Sequence, residues 1–121
     1  MSDQSQSPKS MNEWQDTVMA YAESHGWNRG FDASAPNDVL AKLMLVTTEL
    51  AEAAEDVRTG AMQTEARGEK MKPEGFPTEL ADVVIRVLHL AALLGIDMQS
   101  EMARKHAFNL TRPHRHGGLR A

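Results

Sequence analysis

Glu49 and Glu52 stand three residues apart in TELAEAAEDV, and Glu79 and Asp82 repeat that spacing in TELADVVIRV, thirty positions further along. On a helix, residues at i and i+3 share a face, with Cβ atoms about 5–6 Å apart. Each pair can therefore grip one ion from one side. Hard oxygen ligands, with no thiolate and no histidine cluster beside them, favour Mg²⁺, with Mn²⁺ as the natural substitute. Mg²⁺ is usually held by a few carboxylates and leaves its other positions to water or phosphate oxygens. The chemistry these residues suggest is the handling of a polyphosphate by a divalent cation.

Helical steps of three and four extend both pairs into seams. One runs Lys42, Leu45, Glu49, Glu52, Asp56, and the other Glu79, Asp82, Arg86, His89, Leu93. Such seams ordinarily carry apolar side chains between packed helices. Here they are charged, and the run ELADVVIRVLHLAALLGI leaves the acids little open solvent. Gathering several carboxylates in a partly buried patch costs several kcal/mol per desolvated charge, so a cation must offset them. Lys42 and Arg86 are candidates, and a divalent ion is the stronger one. The plainer account is a solvated acidic face. It suits the first pair better than the second, whose helix has no evident wet side.

A basic complement follows. Lys105, Asn109 and Arg112 fall on one helical face at steps of four and three, and Arg115, His116 and Arg120 continue the basic character. Lysine offers a point charge, and arginine can hold a phosphate through two bonds. Beside a carboxylate–cation patch this is an anion grip. Alternatively, it is a helix C-terminus whose dipole favours basic residues.

These side chains need helices to hold them. Ser10 with Glu13 forms a capping box for a first helix to about Ser24, its face marked by Met11, Trp14, Val18 and Tyr21. Asn37 or Asp38 caps a second, to about Arg58, with Gly60 as its stop. GAMQTEARGEKMKPEGFP has no clean period and reads as a long flexible excursion. A third helix runs from about Pro77 to Leu94, and Asp97 caps a fourth to Asn109 or Leu110. No stretch shows the alternation of a half-buried strand. The expected fold is all-α, a four-helix antiparallel bundle in one domain over residues 10–112, between a disordered tail at 1–9 and a basic tail at 113–121. The third helix is apolar on nearly every side, which four short helices cannot cover. A second copy, as homodimer or homotetramer, is expected to complete the bundle.

Composition removes several function classes. With 13 basic and 17 acidic residues the net charge is −4, so nothing pulls the chain toward nucleic acid or an anionic membrane. The absence of cysteine excludes disulfides, zinc–thiolate sites and thiol chemistry. A polar start without a signal-peptide core makes the cytoplasm the expected compartment. A di-iron carboxylate bundle would need Glu-x-x-His pairs, and none is present.

The two acid pairs, their contexts KLMLVTTELAEAAEDVR and KPEGFPTELADVVIRVLHLAALLGID, and the tail K-x-x-x-N-x-x-R-P-x-x-HGG resemble the MazG-like all-α nucleoside triphosphate pyrophosphohydrolases over about residues 38–118. The resemblance implies a helical bundle, dimeric or assembled from dimers. It implies Mg²⁺-dependent cleavage of a nucleoside triphosphate between the α and β phosphates, giving monophosphate and pyrophosphate. By the same resemblance Glu49, Glu52, Glu79 and Asp82 are metal ligands, and Glu49 or Glu52 orients the attacking water. Lys105, Asn109 and Arg112 are triphosphate contacts, with Lys42 as a further basic group. His89 stands where relatives often carry an acid, so this seam is either less negative or adds a contact. Trp14, Trp27, His25 and Asn37 are candidates for reading a base, although Trp14 reads foremost as a core residue and for Trp27, in its loop, the two accounts are closer. A non-catalytic helical module that binds metal or nucleotide, or only dimerises, is the alternative.

Overall fold

The computed structural model of the chain describes residues 8–113. The N-terminal tail up to residue 7, and Arg115, His116 and Arg120 of the basic tail, lie outside the described residues. Among the described residues four helices carry the fold: α1 (Met11–Ser24), α2 (Pro36–Thr59), α3 (Phe76–Leu93) and α4 (Met98–Asn109). Their ends follow from short-range chemistry. Ser10 Oγ accepts from the Glu13 amide at 3.1 Å, and Glu13 Oε1 accepts from the Ser10 amide at 2.9 Å, so the capping box is complete. Asp97 caps α4 by accepting from the Ser100 amide at 3.0 Å. Gly60 closes α2 in the left-handed region, with φ of 81°.

The start of α2 differs from expectation. Neither Asn37 nor Asp38 caps it; Ala35 does, without a side-chain bond, because Pro36 is already helical. Asp38 instead accepts from the Asp32 amide at 2.9 Å and ties down the preceding loop.

The excursion between α2 and α3 also differs. It contains an antiparallel hairpin, β1 (Glu65–Arg67) and β2 (Lys72–Glu74), with Arg67 opposite Lys72 and Glu65 opposite Glu74. Both strands are exposed, so no alternation of apolar and polar residues marks them. Charges hold the hairpin instead: Arg67 reaches Glu65 at 3.1 Å and Glu74 at 3.6 Å. Gly75 then turns the chain into α3 at φ of 122°. A Cβ there would stand 2.1 Å from the Gln63 carbonyl oxygen, so only glycine fits.

α3 is the central helix. α2 packs along it antiparallel, α1 packs on another side, and α4 rests mainly on α1. Gln15 and Asn12 of α1 make that last contact: the Asn12 amide donates to Gln99 Oε1 at 3.3 Å, and the Met98 amide donates to Gln15 Oε1 at 3.4 Å. The four-sided bundle is thus not closed within the chain. Its core is thin: Val18, Ala22, Ala53, Leu88, Leu90 and Ala91 are the buried apolar residues. Leu40, Leu43 and Met44 on α2, with Leu80 and Val84 on α3, are exposed. Trp14, expected foremost as a core residue, is 42% exposed and is not core. Among the described residues no helix is long and apolar enough to cross a membrane.

Candidate metal centre and adjoining cavity

Antiparallel packing of α2 on α3 sets the second half of α2 beside the first turns of α3. That brings the two acid pairs together. One carboxylate oxygen from each of Glu49, Glu79 and Asp82 lies within 4.8 Å of the others. Two oxygens on opposite sides of an octahedral Mg²⁺ are about 4.2 Å apart, so a small side-chain rotation closes the set around an ion. Glu52 is not in this set. It is exposed and stands beside Glu79 as a charged neighbour, so the expected four-ligand grip is in this structure three ligands and a neighbour.

The electrostatics mark Glu79. Burial first, then the neighbouring Glu52, then the charges of Asp82 and Asp56, push its carboxyl up to about 7. Its Oε2 and the Oδ2 of Asp56 are buried without a hydrogen-bond partner. Buried polar atoms are nearly always satisfied, and two orphaned carboxylate oxygens beside three clustered ones are what a cation would complete. All-oxygen donors of this kind fit Mg²⁺ or Mn²⁺. The cluster is not sealed, however. Asp82 and Glu52 are exposed while Glu49, Asp56 and Glu79 are half-buried, so the acids have more open solvent than the apolar context of α3 suggested.

Arg86 is the counter-ion. Its Nε donates to Glu49 Oε1 at 3.3 Å across the α2–α3 interface. Lys42 does not meet the acids; its Nζ donates to the Trp27 carbonyl oxygen at 3.4 Å and holds the loop after α1. His89 likewise makes no hydrogen bond to the clustered carboxylates; its Nε2 is 2.6 Å from Asn28 Oδ1.

A cavity of about 410 Å³ opens beside the cluster. Glu49, Asp82, Arg86 and His89 line it together with Trp14, Tyr21 and Trp27. All three aromatics are partly exposed, at 42%, 53% and 48%. Two of the base-reading candidates, Trp14 and Trp27, therefore line this cavity. His25 stacks behind Tyr21 with ring centroids 4.0 Å apart, and Asn37 is outside the lining. Sequence reasoning passed over Tyr21 as a wall and Asn28 as a partner of His89. Tyr21 looked like one more residue of the apolar face, and nothing in the spacing of Asn28 and His89, 61 residues apart, announces a contact.

The basic complement is elsewhere. Lys105, Asn109 and Arg112 are all exposed, and α4, which carries the first two and ends just before the third, packs mainly on α1 and not on the acid cluster. Lys105 Nζ lies 5.4 Å over the Phe108 ring of its own helix. One chain does not bring the anion grip to the carboxylates.

Compared with known proteins, the sequence matches no family model and no curated relative, and the fold matches no solved structure.

Proposed function

We propose that the chain is a Mg²⁺-dependent nucleoside triphosphate pyrophosphohydrolase of the MazG-like kind, cleaving between the α and β phosphates to leave a monophosphate and pyrophosphate. One observation carries the reading. The oxygens of Glu49, Glu79 and Asp82 cluster within 4.8 Å, and Glu49 and Asp82 also line the aromatic-walled cavity. A cation site and a slot for a flat ring then share an edge, which is where a nucleotide's phosphates and base would divide.

Each residue has a role in this scheme. Glu49, Glu79 and Asp82 hold Mg²⁺, and when bound the ion neutralises phosphate oxygens and acidifies coordinated water. Arg86 keeps Glu49 aimed across the helix interface. Glu52 is free of the three-ligand set and open to solvent, so it or Glu49 orients the attacking water. Trp14, Tyr21 and Trp27 take the nucleoside. Removing unwanted nucleotides from the cellular pool is the purpose such a reaction would serve.

The protein works as an assembly of copies, a homodimer or homotetramer. Support comes from the thin core and the exposed apolar residues on α2 and α3, which a second copy would cover. Lys105, Asn109 and Arg112 then grip the triphosphate from a neighbouring copy's α4. The distance of α4 from the acids in one chain favours a second reading, a non-catalytic helical module that binds metal or nucleotide.

Incubation with a panel of nucleoside triphosphates, with and without Mg²⁺, separates the two. Metal-dependent pyrophosphate, lost in folded Glu79→Gln and Asp82→Asn variants, supports the enzyme. Stabilisation by metal without turnover supports the module.

A further inference from the structure

Asn28 lies in the turn after α1, and its neighbours fix which way its amide points. Nδ2 donates to Glu23 Oε2, and Met19 Sδ lies 3.6 Å from the same nitrogen. The oxygen is left to accept, and His89 Nε2 stands 2.6 Å from it. An amide oxygen cannot donate, so the proton in this bond belongs to Nε2. A neutral imidazole carries one N–H, and Nδ1 is then a lone-pair acceptor. Burial first, then the charges of Lys42 and Arg86, hold the ring below its ordinary pKa against the opposing pull of Glu23, so it is neutral near pH 7. Nδ1 has no hydrogen-bond partner among the described residues. His89 is only 5% exposed, and it lines the cavity that Trp14, Tyr21 and Trp27 wall. Nδ1 is not one of the buried atoms left without a partner, and a ligand that covers it without supplying a donor would leave it unpaired at a cost of about 1–3 kcal/mol, so a ligand that supplies a donor is preferred over one that does not.

We propose that His89 is a specificity-determining residue: the Glu23–Asn28 relay sets its tautomer, and its Nδ1 accepts from an N–H on the edge of a planar heterocycle held between the aromatic walls. The recognised class is a nucleobase presenting an amino or imino N–H. This rests on reading the cavity as the nucleoside end of the site. It goes beyond that reading by naming the atom that discriminates. The aromatic walls accept any base, because every base has a π face. His89 adds a requirement that stacking does not impose.

Two measurements test it. Long-range ¹H–¹⁵N correlation on the wild-type protein near pH 7.5 reads the tautomer directly. The Nε2–H form is expected for His89, and an Nδ1–H form or an imidazolium overturns the proposal. Tryptophan fluorescence, in Mg²⁺ buffer, then follows binding of the common deoxynucleoside 5′-monophosphates, which lack the scissile bond. The tightest binder is compared with its analogue in which methyl groups replace every N–H on the base edge. Wild type is expected to bind the analogue roughly ten- to a hundredfold more weakly. His89→Phe, which keeps a ring without the acceptor, is expected to bind both equally. Equal binding by wild type, or no binding of any monophosphate, overturns the proposal, and neither result needs the variant to fold. Discrimination without pyrophosphate release would sink the proposed reaction and leave His89 in place. Pyrophosphate released equally from a triphosphate and its methylated analogue would do the reverse.

Discussion

Arg86 Nε lies 3.3 Å from Glu49 Oε1, and this single contact joins α3 to α2 at the point where the acid cluster meets the aromatic cavity. The Glu49 side chain is 13% exposed and Arg86 34%, so the pair is screened less than a surface ion pair but is not fully desolvated. Arg86 neutralises one of the carboxylates that a cation would also use, and it stabilises the protein most when no cation is bound.

Replacing Arg86 with Gln therefore separates the two cations. The metal-free variant is expected to lose about 1–2 kcal/mol, between the values for exposed and buried pairs. Saturating Mg²⁺ is expected to restore most of that, giving a larger thermal shift than in wild type. Melting curves with and without Mg²⁺ measure this directly. An equal shift in both proteins would mean that Arg86 and the ion do not share Glu49.

The raised Glu79 carboxyl gives a pH dependence with a definite sign. Its ordinary value is 4.5 and its folded value about 7, so the folded state binds this proton more tightly than the unfolded state. Without metal, the contribution of Glu79 to stability is fully present below about 4.5 and declines as pH rises through about 7. A cation needs the carboxylate, so Mg²⁺ competes with that proton. The thermal shift on adding Mg²⁺ is expected to be larger near pH 8 than near pH 6. A shift that is the same at both, or larger at the lower pH, contradicts the assignment of Glu79 as a ligand.

Mixed assemblies test whether α4 acts in trans. Asp82→Asn and Arg112→Ala are each expected to abolish turnover alone. Co-expressed, half of the dimers carry one of each chain, and each such dimer has one site with neither lesion if the acids and the grip come from different chains. About a quarter of wild-type activity is then expected. Activity that stays at zero places the two groups in one chain, and a monomer in light scattering removes the assembly altogether.

Much of this fold is written in local chemistry. The Ser10 and Asp97 caps and the Gly60 stop are short-range signals, and each is where the residues place it. The hairpin escaped because exposed three-residue strands held by Arg67 carry no period. The acid pairs were legible because spacing on a helix fixes a face, and the packing of two antiparallel helices then brings the faces together. Glu52 stands outside the three-oxygen set in this structure, because spacing on a helix cannot choose among rotamers. The partners of Lys42 and His89 lie on a loop whose path no periodicity encodes. The position of α4 was not legible at all, since its weakly amphipathic sequence names no partner.

Gly75 offers a check on the turn that starts the second acid pair. Gly75→Ala puts a Cβ against the Gln63 carbonyl at a disfavoured φ, and it is expected to cost about 2–3 kcal/mol. Gly30→Ala, at φ of +78° with nothing within 4 Å, is expected to cost only about 1 kcal/mol. Chemical denaturation of the two variants compares them. Equal losses would show that the close approach to Gln63 does not constrain the entry to α3.

The central claim is that Glu49, Glu79 and Asp82 together hold a divalent cation. Titration of the protein into Mn²⁺, following the free-ion signal by electron paramagnetic resonance, tests it most directly. The signal is expected to fall as Mn²⁺ is bound at the cluster, to recover on adding Mg²⁺, and to remain unaltered with folded Glu79→Gln or Asp82→Asn protein. A wild-type protein that leaves the free Mn²⁺ signal unchanged, or variants that bind as well as it does, would contradict the account.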